Sequence, residues 1–177
     1  MRHVALTFRF AETPDVAAIV ALVDSAYRGD ASRAGWTSEA ELLDGHRTDV
    51  PAVESVLAVP GNVMLLAEAD GQLAASCHLD RRAGAEVYLG MLAVQPTGQG
   101  QGWGRQMLAE AERVARLDWD ASTIVMNVLA QRPELIAWYR RRGYLPTGET
   151  KPFPYGQDRV GIPRRSDLHF VVLTKPL

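Results

Sequence analysis

Residues 94–108 read VQPTGQGQGWGRQML, with glycines at 98, 100, 102 and 104 directly ahead of a helical pattern. Four glycines within seven residues exceed what a strand-to-helix turn needs. The strand before them, the helix after them and a further strand make a parallel crossover unit, which puts the loop beyond the carboxyl end of its strand. Ligands of open α/β sheets sit at that end. A helix N-terminus there offers free N–H groups and a partial positive charge, the makings of an anion site. The dipole contributes only about 0.3–1 kcal/mol per nearby charge, so the aimed N–H groups must supply most of the hold. They can do so only where no β-carbon intervenes, which Gly100, Gly102 and Gly104 allow, while Gly98 serves the turn.

Working outward from the loop, Trp103, Met107, Leu108, Ala111, Val114 and Ala115 share one helix face. Thr123 to Ala130 is a β-branched strand, Pro133 to Arg142 a helix stopped by Gly143, and Leu168 to Lys175 a last strand. Upstream, Glu86 to Val94 is a strand stopped by Pro96, which has no N–H for a ladder. Val63 to Ala69 and Gln72 to Leu79 form a hairpin across Asp70-Gly71. Val4 to Phe10 begins the sheet. Thr13-Pro14 supplies an N-cap and first-turn proline for a helix whose stripe is Val16, Ile19, Val20, Val23 and Tyr27. Ser38 and Glu41 match an S-x-x-E capping box, which predicts a second helix ending near Gly45. Residues 51–59 read as another short helix. The expected fold is α/β: a mixed, mostly antiparallel sheet with a central parallel β-α-β unit and helices on both faces.

With 177 residues, 47% hydrophobic and 23% charged, the chain reads as one globular domain spanning 1–177. Cys77 stands alone, and MRHVALTFRFAETPD lacks an apolar stretch followed by a cleavage site, so the expected address is cytoplasmic. No apolar run nears the roughly 18 residues of a membrane span. A net charge of −2 offers no broad basic surface for nucleic acid. Histidines at 3, 46, 78 and 169 are scattered, giving no metal-ligand spacing.

Spacing then narrows the anion. A dinucleotide G-x-G-x-x-G starting at Gly98 or Gly100 would need glycine at Trp103 or Arg105, and no Gly-Lys-Ser/Thr completes a P-loop. Q-x-x-G-x-G does fit, as Gln99-Gly100-Gln101-Gly102-Trp103-Gly104. In this loop, and in RPELIAWYRRRGY (132–144) with its Tyr139-x-x-x-Gly143-Tyr144, the sequence resembles the GNAT superfamily of acyl-CoA N-acyltransferases.

The resemblance implies acetyl-CoA as acyl donor, its pyrophosphate on the amides of Gln99, Gly100, Gln101, Gly102, Trp103 and Gly104. It implies a pantetheine arm paired like a strand with Leu92, Ala93 and Val94, and proton donation by Tyr139 to the departing thiolate. A glutamate on the strand before the loop serves many relatives as base. Glu86 is the only carboxylate there, while Tyr88 shares its face and lies nearer the usual position of the base; His78 and Asp80 on the neighbouring strand are weaker candidates. Arg33, Trp36 and Glu39 fall where relatives place substrate loops. Arg140, Arg141 and Arg142, in a helix's last turn, read as a solvated face. Arg132 departs from the asparagine common before the tyrosine. Residues 151–167, with three prolines, form a long connection suited to a substrate lid or a partner contact. The expected activity is acetyl transfer to a small molecule's primary amine. Protein or peptide acetylation is the first alternative. A non-catalytic acyl-CoA-binding module, one that senses acyl-CoA or contributes the surface of a homodimer, is the second.

Overall fold

The computed structural model describes residues 5–177, apart from the side chain of Val160. Val4, the expected start of the first strand, lies outside them; β1 covers Thr7–Phe10. The helices are α1 (Val16–Tyr27), α2 (Gly29–Ser32), α3 (Val50–Ala58), α4 (Trp103–Arg113) and α5 (Pro133–Arg140). The remaining strands are β2 (Leu43–Asp44), β3 (Asn62–Ala69), β4 (Gln72–Arg82), β5 (Glu86–Val94), β6 (Thr123–Leu129), β7 (Leu145–Pro152), β8 (Ile162–Pro163) and β9 (His169–Pro176).

Seven strands form one sheet in the order β1-β3-β4-β5-β6-β9-β7. Every neighbouring pair is antiparallel except β5 and β6. Period-two alternation divides β3 between two cores. Met64 and Leu66 face α1 and α3, while Leu65 and Ala67 join the cluster under α4 and α5. Helices therefore cover both faces, as expected of the fold. The α1 stripe buries Val16, Ile19 and Val23 as read from the periodicity, and adds Leu22 and Ala26. Asp70 and Gly71 turn the β3-β4 hairpin with φ of 50° and 74°, the left-handed pair such a turn requires.

Three local readings need correction. The expected cap at Thr13 moves to Glu12, because Thr13–Asp15 is a single 3-10 turn leading into α1; Asp15, at its third position, accepts the Glu12 N–H at 2.8 Å to close a capping box and is clamped by Arg9. The helix expected after Ser38 does not form. Ser38 Oγ accepts from Ala40, Glu41 pairs with Arg33 at 2.9 Å, and Leu43-Asp44 is drawn into a two-stranded ribbon with Ile162-Pro163. Leu145–Pro152, which the sequence pattern assigns to no element, is an almost wholly exposed edge strand on β9 whose last two residues enter the expected 151–167 connection; it has none of the apolar alternation that marks a half-buried strand. The short helix at 51–59 is present as α3, capped by Asp49 accepting the Ala52 N–H at 2.8 Å.

The feature that positions the site is a divergence. β5 and β6 pair only over Glu86–Tyr88 and Thr123–Val125. Beyond Tyr88, β5 carries a bulge in which Met91 and Leu92 oppose Cys77 alone, with Met91 at φ 47°. β6 continues with β9 to Leu129. The two strands leave a wedge between their carboxyl ends, filled by neither.

Candidate active site

Two adjoining cavities occupy the wedge. The larger, about 410 Å³, runs from Leu92 and Val94 across Gly100, Gly102 and Gly104 to Trp138 and Tyr139 of α5. Arg105, Arg132, Arg141 and Arg142 also line it, and among the described residues no carboxylate does. The smaller, about 120 Å³, lies among Tyr27, Arg47, Tyr88, Asn127 and Phe153. They meet at Tyr27, Leu92, Arg132, Leu135 and Tyr139, which line both.

The glycine loop suits a polyanion because its backbone is bare. Gly100 and Gly102 hold φ of +84° and +82°, where an L side chain costs roughly 1–2 kcal/mol. Gly102 caps α4, and the first helical bond runs from the Gln106 N–H to its carbonyl at 3.1 Å. The N–H groups of Trp103, Gly104 and Arg105 therefore have no helical acceptor and are available to a ligand. Gly104 is helical, and a β-carbon there would make ordinary 3.5 Å contacts with Trp138 and Val94. Gly98 does more than turn the chain, since a β-carbon on it would collide with the Trp103 ring.

The Gln99 side chain faces away from the ligand role. Its Oε1 accepts the Trp36 N–H at 2.9 Å, and it fills the space beside Gly35 that a β-carbon would need. Gln99 thus staples residues 35 and 36 to the rim of the cradle. Of the three arginines read as a solvated face, Arg140 and Arg141 are exposed as expected, and Arg142 is half-buried. Arg141 and Arg142 both line the cavity, and Arg142 lies 3.7 Å over the Trp138 ring while donating to the Trp138 carbonyl at 2.7 Å. Burial, reinforced by the like charges of Arg141 and Arg105, pulls the Arg142 pKa below its ordinary value. An anion in the cavity would relieve that repulsion.

Tyr139 is 5% exposed and stands at the junction of the cavities. Its hydroxyl makes no hydrogen bond among the described residues. Burial raises its pKa well above the usual phenol value, so it holds its proton across the physiological range. Tyr27 is engaged instead, donating to the Leu92 carbonyl at 2.9 Å, and so holds the outer edge of β5.

The smaller cavity is organised by ion pairs. Glu39 is buried and divides its carboxylate, accepting from Arg28 at 2.9 Å and from Arg132 at 3.2 Å. Arg132 also donates to Thr37 Oγ1 at 2.8 Å and lies 5.7 Å over the Tyr27 ring. Burial lowers the Arg28 pKa against the opposing pull of Glu39. The Tyr88 ring folds against Gly90, where a β-carbon would come within 2.9 Å. Phe153 and Phe170 stack at the far wall.

Of the residues singled out in the sequence, Leu92, Val94, Gln99, Gly100, Gly102, Gly104, Trp36 and Tyr139 line the larger cavity, and Glu39 and Tyr88 the smaller. Gln101 and Trp103 contribute backbone to the loop, and Ala93 points into the core beneath α1. Arg33 pairs with Glu41 at the surface and reaches neither cavity. Glu86 does not join the assembly either. It begins β5 six residues before Leu92, about 20 Å away at ~3.3 Å per residue, and its carboxylate lies 3.7 Å from Arg82. Tyr27, Arg28, Arg47, Asn127, Phe153 and Phe170 were not legible as site residues, and Arg132 stood out only as a departure from the family's asparagine. Only their convergence marks them.

Residues 33–144 match the sequence profile of the acetyltransferase (GNAT) family. The chain belongs to that family. Similar folds occur in the ribosomal-protein-S18-alanine N-acetyltransferase of Escherichia coli (18% identity, TM-score 0.71, covering 97% of this chain and 94% of that one). A nourseothricin acetyltransferase gives 17% identity and a TM-score of 0.69, covering 97% and 98%. A Bacillus anthracis protein assigned to streptothricin acetylation, solved with acetyl coenzyme A, gives 14% and 0.57, covering 71% and 68%. No curated protein matches the acetyltransferase by sequence. The acceptors named for these proteins of similar fold are a ribosomal protein, nourseothricin and streptothricin.

Proposed function

We propose that this acetyltransferase moves an acetyl group from acetyl-CoA to the primary amine of a small molecule, acting as one domain. The observation that carries the reading is the meeting of an arginine-lined, amide-lined cavity with a smaller one at Tyr139. In this reading the amides of residues 99–104 take the pyrophosphate, and the edge of β5 at Leu92, Ala93 and Val94, beyond the stretch where β6 pairs with it, takes the pantetheine arm. The amine nitrogen attacks the thioester carbon, the C–S bond breaks, and the departing thiolate takes the Tyr139 proton. The proton released by the new amide nitrogen restores Tyr139.

The attacking amine must be neutral. At pH 7 that costs about 4.6 kcal/mol for a lysine-like amine and about 1.4 kcal/mol for an α-amino group. With Glu86 remote, a cationic wall takes the place of a carboxylate base. Among the described residues lining the smaller cavity, Arg28, Arg47 and Arg132 outnumber the carboxylate of Glu39, and this excess positive charge lowers the pKa of an ammonium entering it. Size supports a small acceptor. Phe153 and Pro154 form one wall, and the segment behind them is tied to the other side by the β2-β8 ribbon and the 2.8 Å Arg164–Asp44 pair. Calorimetric titration with acetyl-CoA tests the donor half: saturable binding is expected, and no heat at millimolar ligand would refute it.

A further inference from the structure

Among the described residues, the Arg47 guanidinium makes no ion pair and no hydrogen bond. Its side chain lines the smaller cavity, half-buried, with the guanidinium over the face of Tyr27, 5.4 Å from the ring centre. The carboxylate nearest in kind, Glu39, is already divided between Arg28 and Arg132. The backbone that presents Arg47 is firmly held. Asp24 accepts the Arg47 N–H at 2.7 Å and the Thr48 N–H at 3.4 Å, and meets His46 Nδ1 at 2.6 Å. A cation mounted on so fixed a support and aimed into a cavity is preorganised for an anion, and the guanidinium fork matches a carboxylate in two parallel hydrogen bonds.

Resting on the reading of the smaller cavity as the acceptor site, we propose that Arg47 selects acceptors carrying a carboxylate beside the reacting amine, the chemistry of a free α-amino acid. The pairing serves the reaction as well as recognition. In a free amino acid the neighbouring carboxylate holds the ammonium proton, and pairing it with Arg47 removes that hold. The apolar wall of Phe153 and Phe170 takes a short apolar side chain. Polycationic acceptors meet an excess of like charge with no spare carboxylate to receive them.

Matched acceptors test this, each amino acid against its decarboxylated amine and its methyl ester, in a thiol-release assay on the full chain. The acid should be preferred by about tenfold or more in kcat/KM, since a site built to hydrogen-bond a group rejects analogues lacking it. Arg47→Gln should erase the preference, and Arg47→Lys should retain part of it, with acetyl-CoA affinity unchanged in both. Amines or esters acetylated as well as the acids, or acids left unacetylated, would overturn the proposal. Titration with acetyl-CoA on the same preparations separates the failures. Binding without acid preference sinks only the role of Arg47, whereas absence of binding sinks the donor reading beneath it.

Discussion

The two cavities are both cationic, yet they are built in opposite ways. The larger is gripped by backbone, with Gly100, Gly102 and the first turn of α4 lying within a few residues of one another. The smaller is made of side chains from α1, the 39–47 segment, β5, β6, the α5 N-terminus and the loop after β7. A backbone site dictates its residue type, since only glycine leaves the amides bare at positive φ. A side-chain site dictates only where side chains end up, and many sequences can deliver them.

Glu39 gives the largest expected break in this contrast. Glu39→Ala leaves Arg28 and Arg132 buried without their shared carboxylate, and should cost about 3–5 kcal/mol of stability in urea denaturation. A loss below ~1 kcal/mol would mean that the smaller cavity does not depend on its ion pairs. Next comes Tyr139, shared by both cavities. Tyr139→Phe should lower kcat about 100-fold, as removal of a general acid does, while acetyl-CoA affinity stays within about twofold. Its titration has a definite sign. Burial disfavours the phenolate and raises the pKa, so the proton is present below and through pH 10. The kcat/KM should therefore rise with pH as the acceptor ammonium deprotonates. A falling limb between pH 7 and 9 that disappears in Tyr139→Phe would contradict the assignment.

The smallest effects separate the glycines. Gly102→Val, forcing a β-branched residue to φ +82°, should weaken acetyl-CoA about tenfold by calorimetry. Gly104→Ala keeps a helical backbone with ordinary contacts at 3.5 Å and should leave stability within about 1 kcal/mol of the parent. Equal losses of stability in both variants would show that backbone conformation is not what distinguishes the two positions.

The same contrast explains what could be read in advance. Strands β3 to β6 and helices α1 and α4 were legible because one buried face imposes a period of two or 3.6 on the residues. Leu145–Pro152 was not, because an exposed edge strand has no buried face to impose a pattern. Ser38 and Glu41 have the spacing of a capping box, but neighbouring demands were stronger. Leu42 and Leu43 enter a core with Leu129 and Phe153, and Glu39 is drawn to two arginines. Glu86 was named by its strand, and a strand's two ends lie far apart.

The sequence by itself determined the helix–sheet architecture, the family and the glycine loop, since periodicity, spacing and glycine express local requirements of the backbone. Only the tertiary structure decided that Arg141 and Arg142 turn toward the loop, that Arg132 shares Glu39 with Arg28, and that Arg47 faces the wedge between β5 and β6. Those facts depend on where distant segments converge. Charge interacts across a few ångströms of space regardless of separation along the chain, so no local pattern records it.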